Sequence, residues 1–190
     1  MAIEIGLLVA AALALVLAVF LIVVTYNNVV ALQRRCERAW ANIDVSLKQR
    51  WDQLPNLVAA VKGQMGFEQE VIEEVTRLRA SYQPKASVHD QAVVSEATTE
   101  AVRSLFAVVE GYPELKSQEN VMALQEEIER LETLIARRRE LFNQQVYQYN
   151  STILQVPALF LKPLFGWKTV DSFSADDDER ERPTADIYVS

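Results

Sequence analysis

An uncharged apolar stretch near the N-terminus most constrains what this chain can fold into. Ile5–Val24 holds 20 residues without a charged or strongly polar side chain, and a helix of that length spans the ~30 Å hydrocarbon layer of a bilayer. Glu4 precedes the stretch and no Lys or Arg does. Secretory signal peptides have instead a basic start, an apolar core of roughly 7–15 residues and a small-residue cleavage site. The sequence therefore predicts an uncleaved transmembrane anchor over residues 1–25.

The charges beside the anchor predict its orientation. Arg34, Arg35 and Arg38 follow the span, and cytoplasmic flanks of membrane helices carry the excess of Lys and Arg. We therefore expect the N-terminus to lie outside and the following domain in the cytoplasm. Tyr26 takes the place of an interfacial aromatic.

Small residues recur every fourth position in the anchor, at Gly6, Ala10, Ala14 and Ala18. Such a stripe lets two helices approach closely in lipid. It predicts self-association of the anchor, and the alternative is that Ala is simply common in this segment.

The pattern after the anchor predicts an all-α fold, a long antiparallel bundle of about four helices over residues 26–156. Apolar residues recur at steps of three and four, which is typical of bundle helices. Pro55 interrupts the first helix and predicts a kink near residues 51–54 or a break. The first stripe comprises Val29, Leu32, Cys36, Trp40, Ile43, Leu47, Trp51, Leu54, Val58 and Val61.

Three more helices are predicted. The second ends before Pro84, the third runs from about Asp90 to Gly111-Tyr112-Pro113, and the fourth starts with Ser117 as N-cap and extends to Val156. Arg138 and Arg139 fall in a gap of the fourth stripe. They indicate either stems buried with their heads in solvent or a buried ion pair with a Glu of another helix.

An apolar segment over residues 157–173 follows the bundle. If the fourth helix returns toward the membrane, this segment arrives at the bilayer surface, and its length and prolines rule out a span. We expect it to contact membrane lipid or a neighbouring subunit, although folding onto its own bundle is the alternative. The candidate contact residues are Leu159, Phe160, Leu164, Phe165 and Trp167. The charged tail, residues 174–190, is predicted to be disordered.

Charge and reactive residues exclude several functions. The net charge is −7, and the tail supplies most of it, so there is no basic surface for nucleic acid. One cysteine and one histidine, Cys36 and His89, leave no disulfide framework and no His-rich metal site. We therefore predict no catalytic residue, no metal and no cofactor.

Several runs of residues resemble the signature of the LemA family. The resemblance covers residues 1–173, and it implies a bacterial protein with one N-terminal span in the cytoplasmic membrane and a helical bundle. Where such proteins commonly have His-Glu after Lys-Gly, this chain has Phe67-Glu68, so no role for that histidine is carried over. The runs are Ala39-Trp40-Ala41-Asn42-Ile43-Asp44-Val45, Lys48-Gln49-Arg50, Asp52-Gln53-Leu54-Pro55-Asn56-Leu57-Val58, Tyr112-Pro113-Glu114-Leu115-Lys116, Tyr149-Asn150-Ser151-Thr152-Ile153 and Phe165-Gly166-Trp167.

These features are compatible with three functions. Some LemA-like relatives are linked to building internal membranes, and others are encoded near membrane proteases. Both links agree with a scaffold or an adaptor better than with an enzyme. The anchor stripe, the apolar segment and the long helices make a non-enzymatic, homo-oligomeric scaffold that organises or shapes the membrane the leading hypothesis. An adaptor for a membrane protease or another envelope protein is the second, and an enzyme of unrecognised type is the third.

Overall fold

The protein is all-α, as predicted. The computed structural model describes residues 2–62, 69–81, 83 and 86–174, and these ranges contain helices and connections but no strand. The helices are α1 (Ala2–Lys62), α2 (Gln69–Ser81), α3 (Val88–Glu110), α4 (Pro113–Lys116), α5 (Glu119–Ile153) and α6 (Ala158–Phe165). The predicted tail lies outside the described residues, apart from Ser174.

The first helix joins the anchor and the first bundle helix in one element of 61 residues. It continues as a helix through Pro55, so of the kink or break predicted there, the break does not occur. Proline removes one hydrogen bond of the preceding turn, but Leu54, Leu57 and Val58 around it are buried. Their burial, at about 1.5–3 kcal/mol for each large apolar side chain, offsets that loss.

Some helix ends differ from the prediction. Ser87 caps α3, and its hydroxyl accepts a hydrogen bond from the Asp90 amide at 3.1 Å. Ser117 was predicted as the cap of the long helix, but it ends the short helix α4 instead. Pro113 suits the first turn of α4 because that position needs no amide donor. Leu115 is buried, which explains why the extra turn forms.

The chain forms two compact units. The first comprises Met1–Arg38 with Gln144–Val170, and the second comprises Ala39–Asn143 with Asp171–Ser190. The buried apolar residues of the first unit are Val29, Leu32, Cys36, Val146, Tyr149, Ile153, Ala158 and Trp167.

Within the second unit, α1 and α5 are antiparallel, as predicted. The ring centroids of Trp40 and Phe142 are 5.5 Å apart, and the Arg50 guanidinium lies 2.8 Å from the Glu132 carboxylate. In a given direction along the two helices, residue numbers therefore increase in α1 and decrease in α5. Phe173 also packs on Trp40, with ring centroids 5.9 Å apart.

A fully buried arginine connects three helices of the second unit. Arg50 of α1 is 0 % exposed. Its guanidinium donates to Glu132 Oε1 of α5 at 2.8 Å, to Thr99 Oγ1 at 2.9 Å and to Ser95 Oγ at 2.9 Å. Thr99 in turn donates to Glu132 Oε2 at 2.9 Å. Burial lowers the pKa of Arg50, whereas the charge of Glu132 raises it. The charge is kept inside the bundle because fixed acceptor oxygens replace much of its water.

Arg138 and Arg139 fall in the gap of the α5 stripe, and their contacts match neither of the two arrangements predicted for them. Arg138 donates to the Asn42 carbonyl of α1 at 2.5 Å and to the Ser46 hydroxyl. Arg139 lies over the ring of Phe173, 5.1 Å from its centroid. The buried ion pair with a glutamate of another helix does exist in this unit, but Arg50 forms it.

We expect Glu132→Ala to destabilise the protein by about 3–5 kcal/mol, because it leaves the Arg50 charge buried with no carboxylate. Urea unfolding of the full chain in detergent, followed by far-ultraviolet circular dichroism, measures the change. Glu127→Ala is the matched control, since Glu127 pairs with Arg130 on the exposed surface of the same helix and should change stability little. Equal losses in the two variants would contradict the role of the buried pair.

Candidate membrane interface

The N-terminal part of α1 is exposed along its whole length. Residues 2–24 are all exposed, and α1 is long and apolar enough to cross a membrane. It is therefore a candidate membrane span by length and composition. The stripe of Gly6, Ala10, Ala14 and Ala18 lies on this exposed surface, and apart from the adjacent helix backbone no described atom would contact a methyl group added at Gly6.

An aromatic cluster forms at the end of the apolar stretch of α1. The ring centroid of Tyr26 lies 4.9 Å from that of Phe165 and 6.2 Å from that of Trp167. Phe165 and Trp167 also pack on each other, with ring centroids 5.2 Å apart. The cluster holds the C-terminal end of α6 beside the residue that follows the candidate span.

The helix α6 has two different faces. Helical spacing puts Ala158, Leu161, Lys162 and Phe165 on one face, and this face includes the buried Ala158 and the half-buried Leu161 and Lys162. The opposite, outward face comprises Leu159, Phe160, Pro163 and Leu164, all of them apolar and exposed. Phe160 and Leu164 are each 73 % exposed.

Polar contacts fix the segment around α6. The Asn150 amide of α5 donates to the Val170 carbonyl at 2.8 Å and accepts from the Val170 amide at 3.0 Å. Gly166 ends α6 in the left-handed region with φ of 66°, which favours glycine. The turn at Gly166 directs Trp167 back onto Tyr26.

The structure divides the contact residues predicted from the sequence. Phe165 and Trp167 come together with Tyr26, and Trp167 is buried. Leu159, Phe160 and Leu164 point outward. Val156 was predicted in the apolar stripe of the fourth helix, but α5 ends at Ile153 and Val156 is 69 % exposed.

The reactive residues do not form a catalytic group in the part of the chain that the structure describes. His89 Nδ1 lies 3.2 Å from the Ser174 carbonyl oxygen, which can only accept a hydrogen bond. Cys36 is buried. No three His, Cys, Asp or Glu side chains come together as a metal site within residues 2–62, 69–81, 83 and 86–174.

An open cleft of about 710 Å³ lies between α2 and α3. Its described lining is mostly small or acidic, and its arginine, Arg77, pairs with Glu74 of the same helix at 2.6 Å. Such a pair is typical of a solvated helix surface. The lining residues are Glu73, Glu74, Arg77, Ala97, Glu100, Ala101 and Ser104.

The family comparison covers the helices that build both the Arg50 cluster and α6. The model of the LemA family matches residues 39–186, which is most of the 190-residue chain. The chain belongs to the LemA family. Comparison with curated proteins finds no match.

One residue of the LemA-like runs now has a clear structural role. Sequence reasoning treated Lys48-Gln49-Arg50 only as part of the resemblance, whereas Arg50 is the buried donor that joins three helices. The sequence feature that could have identified Arg50 is its position between Leu47 and Leu54, within the apolar stripe of α1. The Phe67-Glu68 departure lies outside the described residues.

We expect Cys36 of this LemA protein to resist alkylation at pH 8. Burial raises the pKa of the Cys36 thiol, so the folded state favours the protonated, unreactive form. Stability from this group is retained at neutral pH and falls as the pH rises above the ordinary thiol pKa. Iodoacetamide labelling read by mass spectrometry should be roughly tenfold or more slower than in urea-unfolded protein. Equal rates would show that the thiol is accessible in the folded state.

Proposed function

We propose that this protein is a non-enzymatic, membrane-anchored helical scaffold that self-associates and organises the membrane around it. The observation that carries the proposal is the continuity of α1 from Ala2 to Lys62. Its exposed apolar part, residues 2–24, continues into the buried stripe of the bundle without a loop between them. The anchor therefore continues as a helix into this stripe rather than ending in a flexible linker.

Self-association is supported by the anchor stripe. Helices in lipid gain little from apolar surface alone, and they associate where small side chains let their backbones approach. Gly6, Ala10, Ala14 and Ala18 supply such a surface on α1. Exposure of the stripe leaves it accessible to a second copy.

A non-enzymatic role fits the described residues. The described lining of the cleft between α2 and α3 consists of Glu, Arg, Ala and Ser side chains, and it includes neither the histidine nor the cysteine. The LemA family is not known as an enzyme family. We propose the bacterial cytoplasmic membrane as its location, with the bundle in the cytoplasm, because Arg34, Arg35 and Arg38 follow the span.

We expect Ala14→Leu to weaken self-association of the full chain, because a larger side chain separates the two backbones. Overpacking costs about 1–3 kcal/mol, which corresponds to an association weaker by a factor of about 5–150. The control is Ala12→Leu, since residue 12 lies about 200° around the helix from residues 10 and 14. Native mass spectrometry after gentle extraction from the membrane, with electron microscopy of the same fraction, measures both variants.

The same measurement separates the proposal from its alternatives. A homo-oligomer that Ala14→Leu dissociates and Ala12→Leu leaves intact supports the scaffold. A monomeric wild type overturns self-association. A small assembly that repeatedly contains one foreign protein would instead indicate the adaptor and identify its partner.

A further inference from the structure

The geometry points to α6 as an interfacial helix, whose outward face of Leu159, Phe160, Pro163 and Leu164 lies in the bilayer leaflet from which α1 emerges. This inference rests on the anchored location in the proposed function, but not on self-association. Phe160 and Leu164 are 73 % exposed, and they stand four residues apart on one side of the helix. A contiguous apolar face of this kind usually marks an interaction site.

The position of α6 along α1 selects lipid as the occupant. Tyr26 follows the last residue of the uncharged stretch, Val24, by two positions, or about 3 Å of helix rise. Phe165 of α6 lies 4.9 Å from Tyr26 between ring centroids, and both belong to the first unit. If α1 spans the bilayer, α6 is therefore placed at the level where headgroups meet acyl chains. Tyr and Trp rings are enriched at that level.

The local charge fits a membrane surface. Residues 141–170 contain Lys162 and Lys168 but no acidic residue, whereas Asp and Glu are in excess in the whole chain. Lys162 lies on the inner face of α6 with its stem half-buried, and a long stem of this kind lets an amine reach toward phosphate. Both lysines are attracted by the negative headgroups of an anionic leaflet.

The apolar face is held in place within the protein. Asn150 binds both backbone groups of Val170, and the Leu159 amide donates to the Gln155 carbonyl at 2.8 Å. The helix therefore does not have to fold when it meets lipid. Isolated helices of eight residues are unstable in water, so this support removes an ordering cost from binding.

A second copy of the chain fits the face less well than lipid does. A standard protein interface buries about 800 Å² on each partner and uses 20–30 residues, and four side chains of one short helix fall well below that size. Lipid needs no complementary surface. Insertion into one leaflet also explains how a scaffold acts on a bilayer, because each copy adds area to one side only.

Spin labelling of the full chain in liposomes tests the location. A single label is placed at Phe160→Cys or Leu164→Cys in a Cys36→Ala background, with the protein in phosphatidylethanolamine–phosphatidylglycerol vesicles. The control label is at Tyr147→Cys, a residue of α5 in the same unit that is 66 % exposed. Collisions of the label with oxygen, which enriches in lipid, and with a water-soluble nickel chelate are measured by electron paramagnetic resonance.

We expect labels at residues 160 and 164 to collide readily with oxygen. We also expect their collision rate with the nickel chelate to be at least about fivefold lower than at residue 147, because the chelate stays in water. A nickel rate equal to that at residue 147 would place the face in water and overturn the inference. Low rates with both reagents would place the face in a protein contact, with a second copy, and would overturn it too.

Circular dichroism checks that the labelled variants fold, and native mass spectrometry determines their oligomeric state. The replaced side chains are exposed, so the labelled variants should retain the wild-type circular dichroism spectrum, and the two label positions must agree. Native mass spectrometry of the same samples separates this inference from the proposed function. A monomer with a lipid-immersed label overturns self-association alone, whereas an oligomer with a water-exposed label overturns the interfacial helix alone.

Discussion

The guanidinium of Arg50 is the constraint on which the second unit depends. A charge without water in a helical core costs several kcal/mol unless fixed partners surround it. Here the partners come from α3 and α5, so a shift of any one of the three helices along its axis would break these bonds. The adjacent Trp51 ring, 5.5 Å from the guanidinium carbon, adds a cation–π contact. Apolar stripes alone would allow one helix to slide past another by a turn, whereas such a slide would break the hydrogen bonds of Arg50.

In the first unit, aromatic residues take part in two kinds of surface on one segment. One short segment must pack on its own protein and also leave an apolar surface outside. Phe165 and Trp167 lie against Tyr26, while Phe160 and Leu164 point away. The two roles separate because helical spacing sends neighbouring residues to different faces. In this LemA family protein the packing residues lie toward the C-terminal end of the segment and the outward residues mainly before them.

The sequence predicted the helices better than it predicted their polar contacts. Period-3.6 stripes identified the buried faces of α1 and α5, since burial of Ile43, Leu47, Ile128 and Ile135 follows from spacing alone. Helix ends were less certain: the extra turn α4 depends on the burial of Leu115, which is a tertiary effect. Of the kink or break predicted at Pro55, the break does not occur, because the residues around the proline are buried.

The Arg50 cluster could not be assembled from the sequence without knowing which helices are neighbours. Ser95 and Thr99 lie 45 and 49 residues from Arg50 in the chain, and Glu132 lies 82 away. A charge inside an apolar stripe was visible, but its partners were not. The apolar stretch over residues 157–173 was visible in the sequence, and its contact with lipid or a subunit stays a prediction. The division of its residues between inside and outside needed the position of Tyr26.

The two hydrogen bonds between Asn150 and Val170 require a particular kind of side chain at position 150. It must donate to a carbonyl and accept from an amide at the same residue, Val170. A carboxamide has one group of each kind, whereas a carboxylate has only acceptors. Aspartate has nearly the same size and would keep the bond from the Val170 amide, but it would set a negative oxygen against the Val170 carbonyl. Replacement of the amide by an acid would therefore remove one of the two bonds that hold the chain after α6, and it would do so without leaving a gap in the packing.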